Sequence, residues 1–167
     1  MRGLTLLAFV LCASAPASAQ LVQPLRVDLG AGAGYAAGPT VNRYALVGTA
    51  DLQVGVPTLR FRGVRATPIL DAETRMEGAA MLGATLHAQE GTFFFGAGPA
   101  RYRATVSNRP GVDSESGWGV AVSADAYYAL SSTTRLGMQA FATFGEENLR
   151  GVDSNIRGVA ASIRFGK

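Results

Sequence analysis

Apolar residues alternate with small or polar residues in eight short runs along this 167-residue chain. In the first run, alternate positions are apolar or aromatic, and the positions between them hold Arg26, Asp28 and glycines. A period of two indicates a β-strand whose two faces meet different surroundings. Strands of about ten residues, tilted in a closed barrel, are long enough to cross the hydrocarbon core of a bilayer. The pattern predicts strands near residues 25–35, 45–56, 58–69, 76–87, 92–106, 118–130, 135–144 and 156–165.

The connections between these runs alternate in length. Short ones fall around Pro57, 88–91 and 131–134, and longer polar ones cover 36–44, 70–75, 107–117 and 145–155. This alternation is typical of a membrane barrel with short turns on one side and longer external loops on the other. Two local irregularities are expected: a bulge at Gly63 that shifts the phase of the third strand, and a missing ladder hydrogen bond at Pro99.

The first nineteen residues have the features of a cleavable secretion signal. Arg2 provides the positive start, an apolar stretch follows, and Ala17-Ser18-Ala19 forms a small-residue cleavage site. The only cysteine, Cys12, lies inside this segment, and Leu11 before it disfavours attachment of a lipid. The mature chain, residues 20–167, is therefore predicted to be one domain without disulfides or a thiol nucleophile.

Charge and motifs exclude several classes of function. The net charge is +3, and the arginines are scattered among the acidic residues, which argues against nucleic acid as a partner. The glycine-rich segments 30–34 and 96–98 lack the full dinucleotide-binding fingerprint, so we expect no cofactor. The only histidine, His87, lies beside a short turn with no adjacent serine. We therefore predict no catalytic residues and no metal site. The alternative hypothesis is an enzyme that acts on lipid, with His87 in its catalytic group.

The residue types indicate which face of the barrel is inside. The interior of an eight-stranded barrel is only wide enough for side chains to fill it. The polar face is rich in Gly, Ala, Ser and Thr, which suits a narrow interior, so we expect the apolar face to meet lipid. A soluble periplasmic barrel with an apolar ligand inside is the alternative. Aromatic residues near strand ends are predicted to form interfacial girdles: Tyr35, Tyr44, Phe93 to Phe95, Tyr102, Trp118, Tyr128, Phe144 and Phe165.

Isolated charges inside so narrow a barrel must pair, because an unpaired buried charge is costly. We therefore predict a network of ion pairs that fills the lumen, and a pore for small solutes is the alternative. The inward polar set is Arg26, Asp28, Asp51, Gln53, Arg60, Arg62, Glu77, Asp125, Arg135, Gln139 and Arg157.

In pattern and length, the mature chain resembles the small eight-stranded outer-membrane β-barrel proteins. It is similar in plan to the transmembrane domain of outer membrane protein A and to the opacity-type barrels. In the last strand Val159, Ala161, Ile163 and Phe165 alternate as in that group, although Gly166 and Lys167 follow the aromatic residue. The resemblance implies an all-β, antiparallel, up-and-down transmembrane barrel in the outer membrane of a Gram-negative bacterium.

The resemblance does not imply one activity, because the fold hosts structural anchors, adhesins and a few lipid-modifying enzymes. The leading hypothesis is a structural or surface-interaction role without catalysis. The partners are outer-membrane lipids and lipopolysaccharide, the barrel-assembly machinery during insertion, and an extracellular ligand of the longer loops, where Gly-Val-Asp-Ser occurs twice, at 111–114 and 151–154. We expect a monomer.

Overall fold

The computed structural model describes residues 24–38, 42–68, 73–106, 114–145 and 155–166. The predicted signal peptide lies outside the described residues, as do parts of the four longer connections, including most of both Gly-Val-Asp-Ser segments. Within the described ranges, no helix is long and apolar enough to cross a membrane.

All eight predicted strands are present, and their ends lie within a few residues of the predicted ones. Each strand pairs antiparallel with its neighbours in sequence, and β1 pairs with β8, so the sheet closes into a barrel. The predicted all-β, up-and-down fold is therefore confirmed. The strands are β1 Arg26–Ala37, β2 Asn42–Gln53, β3 Pro57–Pro68, β4 Glu73–His87, β5 Gly91–Val106, β6 Glu115–Ala129, β7 Thr134–Gly145 and β8 Ile156–Gly166.

The strands are staggered around the barrel. Following the paired residues once around from Arg26 leads to Ala36, ten positions further along β1. A stagger of this kind requires strands that are tilted by about 40° from the barrel axis. Because the stagger is even and the side-chain period is two, the inward set of every strand stays inward around the whole circumference.

The two faces of the sheet differ as predicted. Along β2, the side chains from Arg43 to Gln53 are alternately buried inside the barrel and exposed outside it. The outward side chains are mostly apolar: Leu82 is 74% exposed and Trp118 is 59% exposed. An outer surface of exposed leucine, valine and aromatic side chains is costly in water and suits contact with hydrocarbon.

Gly63 does not form the predicted bulge. It pairs with Gly48 on one side and Gly78 on the other, and the alternation of buried positions along β3 is unbroken. The outward-facing glycine fits the regular ladder, so no phase shift occurs. Pro99 does interrupt a ladder, as expected: the pairing of β4 with β5 skips Ala80 and Met81, because proline has no N–H to donate.

Glycine is required at particular places in the backbone. Gly55 lies in the turn between β2 and β3 with a φ of 67°, a left-handed conformation that side chains disfavour. On the inner face, a Cβ atom at Gly34 would clash with the carbonyl oxygen of Val159, and one at Gly98 would clash with that of Ala80. The narrow, staggered barrel leaves no room for a side chain at these two inward positions.

Candidate functional site: the charged lumen

The inner face of the barrel carries most of the buried charge. The sequence places these residues at alternate strand positions, and closure of the barrel turns all of them toward one interior. Side chains this deeply buried need partners, because desolvation of a charge is costly. The buried charged residues within the described ranges are Asp28, Arg43, Asp51, Arg60, Arg62, Arg75, Glu77, Asp125, Arg135 and Arg164.

Arg60 on β3 is the centre of the largest cluster. Its Nε and Nη2 donate to the two carboxylate oxygens of Asp51 on β2, at 2.7 and 2.8 Å. Its Nη1 donates to Asp125 on β6, across the lumen. The guanidinium also lies over the ring of Phe94, 3.4 Å from the ring centroid. Arg164 on β8 donates to the second oxygen of Asp51, so two arginines share that carboxylate.

Hydroxyl groups complete the surroundings of Asp125. Ser123 donates to its Oδ1 at 3.1 Å and Tyr127 donates to its Oδ2 at 3.3 Å. Ser162 donates in turn to the phenol oxygen of Tyr127 at 3.0 Å, and Arg164 lies over the tyrosine ring. The central cluster therefore joins β2, β3, β6 and β8 across the barrel.

A second cluster lies nearer the longer connections. Arg62 donates to Glu77 at 2.6 Å and to the hydroxyl of Thr143 at 3.0 Å. It also donates to the backbone carbonyl of Val122 at 2.8 Å, which leaves its guanidinium with partners on three other strands. Arg75 lies 3.6 Å from the other oxygen of Glu77. Glu77 thus accepts a hydrogen bond from Arg62 and forms an ion pair with Arg75.

The third cluster lies nearer the short turns. Asp28 accepts from Arg26, its neighbour on β1, at 3.2 Å and lies 3.4 Å from Arg135 on β7. Because β1 and β7 are separated by β8, this contact also crosses the interior. Charge pairing therefore continues from one end of the lumen to the other.

His87 ends β4 at the same end of the barrel. Its Nε2 lies 2.9 Å from the amide nitrogen of Gln53, and its Nδ1 lies 3.3 Å from the hydroxyl of Thr92. Nearby, the hydroxyls of Thr58 and Thr85 are 2.7 Å apart. The contact with Gln53 joins β4 to β2, and the other two contacts join adjacent strands. A lipid-hydrolysing triad would instead need a serine and an acid in contact with this ring.

Most of the predicted inward polar set lies where the sequence indicates. Arg26 is half-buried and paired with Asp28. The prediction for Arg157 is wrong, because its side chain is exposed on the outer face. Arg157 lies two positions before Val159, which faces outward, so both have the same parity along the strand and the period of two itself places Arg157 outside the lumen. The buried members are Asp28, Asp51, Gln53, Arg60, Arg62, Glu77, Asp125, Arg135 and Gln139.

Sequence reasoning missed other lumenal residues. Arg43, Arg75 and Arg164 are fully buried, and each has the parity of an inward residue on its own strand. Phe94 and Tyr102 were predicted to belong to the interfacial girdles, and this is wrong because both are buried inside. Both rings pack against arginines: the ring centroid of Phe94 is 3.4 Å from the guanidinium carbon of Arg60, and that of Tyr102 is 4.3 Å from the guanidinium carbon of Arg75. The alternation along β5 indicates that both residues point inward, but the aromatic run 93–95 obscures this alternation.

Comparison with protein-family models and with curated protein sequences gave no match. Several solved structures have the same fold. Neisserial surface protein A has a TM-score of 0.68 at 15% identity, over 84% of this chain and 96% of that one. The N-terminal β-barrel domain of Pseudomonas aeruginosa OprF has a TM-score of 0.65 at 11% identity, over 85% and 97%. The attachment invasion locus protein Ail of Yersinia pestis has a TM-score of 0.56 at 7% identity, over 86% and 97%.

At these identities the likeness shows the fold. The chain has the architecture of the small eight-stranded outer-membrane β-barrels, as its sequence pattern predicts.

Proposed function

We propose that the mature chain is an integral outer-membrane β-barrel protein with a structural or surface-interaction role and a lumen filled by polar side chains. The observation that carries this proposal is the distribution of residue types: charged side chains point inward and pair, and large apolar side chains point outward. A protein surrounded by water would have the reverse distribution. The proposal includes no catalytic activity.

The outer surface supports insertion into a bilayer. Leu29, Leu46, Leu82 and Phe95 are each more than half exposed, and exposed large apolar side chains occur on every strand. Moving an exposed side chain of this size out of water contributes about 1.5–3 kcal/mol. Repeated around the whole barrel, this contribution strongly favours lipid over water. It also argues against a soluble periplasmic barrel with an apolar ligand, because that ligand would meet the charges of the lumen.

The lumenal contacts favour a filled interior over a pore. Arg60, Asp51 and Asp125 join the wall at β2 and β3 to the wall at β6 through direct contacts. Opening a path past them would separate buried ion pairs, which is costly. A pore for small solutes remains the second candidate function, because the described lumenal residues include six buried arginines and four buried carboxylates. Such a pore would prefer anions.

The longer connections are the place for surface interaction. Loops on a rigid scaffold carry recognition in many proteins. Two structural neighbours are named as a surface protein and as an attachment invasion protein, which supports this role by analogy of fold. The proposal therefore includes a monomer in contact with lipid and lipopolysaccharide, inserted by the barrel-assembly machinery, whose loops 36–44, 107–117 and 145–155 meet an external partner.

Membrane fractionation combined with gel mobility tests the proposal. We expect the chain in the outer-membrane fraction and a different mobility before and after boiling in detergent, because a closed barrel resists detergent at room temperature. Recovery from the soluble periplasm would contradict it.

Planar-bilayer recording separates a filled lumen from a pore. We expect no conductance above background for the wild-type barrel. Anion-selective steps that change in the Asp51→Asn and Arg60→Gln variants would instead support the pore.

A further inference from the structure

The outer surface carries a group of arginines that the lumen does not use. Arg65 on β3 and Arg101 and Arg103 on β5 are exposed and face outward, where the rest of this face is mostly apolar. Within the described residues, none of the three forms an ion pair with a carboxylate. Charged side chains on the lipid face of a barrel are destabilising unless they lie near the interface.

Strand register brings these three arginines together. Arg65 pairs with Met76, which pairs with Arg103, so the two arginines lie in one row across β3, β4 and β5. Two strand spacings separate their Cα atoms by about 10 Å, and Arg101 is about 7 Å from Arg103 along β5. Arginine side chains are long enough to converge on one group from such positions. All three lie on the half of the barrel that bears the longer connections.

A groove begins at this arginine patch and continues over the outer surface. Gly78 pairs with Arg101, and Gly63 and Gly48 continue the row onto β3 and β2. A Cβ atom at Gly48 or Gly78 would meet no atom within 4 Å, so this surface is open. The groove has a volume of about 1140 Å³, and its lining includes Leu46, Phe61, Met76 and Trp118.

The stagger of the barrel orients this groove. Trp118 lies three positions from the long-loop end of β6, whereas Gly48 lies six positions from that end of β2. The row therefore descends from the arginines toward the middle of the apolar belt. Trp118 also lies beside Arg101, whose guanidinium is 5.8 Å from the centroid of the tryptophan ring. Tryptophan side chains are typical of the level of the lipid headgroups.

We propose that the arginine patch and this groove bind an anionic lipid with a terminal phosphate group, in the leaflet on the long-loop side. Its phosphate is held by Arg65, Arg101 and Arg103, and one acyl chain lies along Gly78, Gly63 and Gly48. Arginine forks match phosphate oxygens in geometry and charge, and the open apolar surface below them suits a hydrocarbon chain. The site rests on the proposed location in the outer membrane and specifies the class of lipid that contacts this face.

Native mass spectrometry of the folded, detergent-solubilised barrel tests the site. The barrel is titrated with dioleoyl phosphatidic acid and, separately, with dioleoyl phosphatidylcholine. We expect selective retention of phosphatidic acid, and an affinity at least about tenfold lower in the Arg65→Gln, Arg101→Gln, Arg103→Gln triple variant. The control is Arg157→Gln, which removes another outward arginine, on β8. Equal retention of the two lipids, or equal loss in both variants, would overturn the proposal.

A second pair of variants tests the groove. Gly63→Leu fills it without a backbone clash, because a Cβ atom there meets only the Glu77 carbonyl oxygen, at 3.9 Å. As a control, Ala140→Leu places a leucine on the outer face of β7. We expect only Gly63→Leu to weaken binding of phosphatidic acid.

Two further measurements complete the test: competition by inorganic phosphate, and the mass of the protein assembly. Competition by inorganic phosphate at concentrations comparable to the lipid would show that the acyl chain contributes nothing. A dimer that Gly63→Leu abolishes would show that a second copy covers the groove, and either result would overturn the proposal. Each variant must retain heat-dependent gel mobility, so that failure of the lipid site is distinct from failure of the barrel to form.

Discussion

The strongest test of the lumenal network is removal of the guanidinium at its centre. Arg60→Met keeps an unbranched side chain against Phe94 but deletes the donors to Asp51 and Asp125. Asp51 keeps Arg164 as a partner. As hydrogen-bond partners, Asp125 keeps only the hydroxyls of Ser123 and Tyr127, which carry no charge. The variant therefore leaves one buried carboxylate without a hydrogen-bonded cation.

The expected cost follows from that uncompensated charge. Removing one partner of a buried ion pair destabilises a protein by about 3–5 kcal/mol. Arg157→Met is the matched control, because Arg157 is exposed on the outer face and its replacement is expected to change stability by about 0.5 kcal/mol or less. Both variants make the same chemical change, so the difference in their stability measures the effect of a lumenal position against an outward one.

A second replacement separates charge balance from packing. In Arg60→Met, Asp125→Asn the unpaired carboxylate becomes a neutral amide, while the Asp51–Arg164 pair remains. Replacement of both members of a buried pair is often close to neutral. We therefore expect the double variant to recover most of the stability that Arg60→Met loses, which makes the two effects strongly non-additive.

Urea unfolding of the barrel in phosphatidylcholine vesicles measures these differences. Trp118 is the only tryptophan and lies on the outer surface, so its fluorescence reports transfer from lipid to water. An Arg60→Met barrel within about 1 kcal/mol of the wild type would refute the reasoning. A double variant no more stable than Arg60→Met would refute the role of the unpaired Asp125.

Three further predictions concern other parts of the chain. Gly34→Val should destabilise the barrel by about 1–3 kcal/mol in urea unfolding, because its Cβ atom would clash with the Val159 carbonyl oxygen. Gly48→Val faces open space and should have a much smaller effect, and equal effects of the two variants would contradict this prediction. Leu82→Arg should lower the free energy of unfolding in vesicles by about 2–4 kcal/mol, because this side chain faces the lipid. Thr105→Arg lies one position from the end of β5 and should lower it by about 1 kcal/mol or less, and a reversed order would contradict the lipid-facing assignment. Mass spectrometry of the protein extracted from outer membranes should give a chain that begins at Gln20, and an uncleaved chain would contradict the predicted signal peptide.

Much of the fold could be predicted because a strand's two faces are a local property. The parity of Asp51 and Arg60 relative to their apolar neighbours indicates that both point inward, with no knowledge of the rest of the molecule. The same rule applies to Arg157 and Arg164 on β8, whose opposite parities place one outside and one inside. Parity is least informative where both faces carry apolar or aromatic residues, as around Phe94.

The sequence by itself determined the number of strands, their boundaries to within a few residues, and the inward or outward direction of most side chains. Only the tertiary structure decided which charges meet. Asp51 and Arg60 are on adjacent strands, but Arg60 reaches Asp125 and Asp28 reaches Arg135 across the lumen. The outward grouping of Arg65 with Arg103 likewise depends on register. Those contacts depend on the closure and ten-residue stagger of the barrel, which are properties of the whole sheet and leave no mark on any single strand.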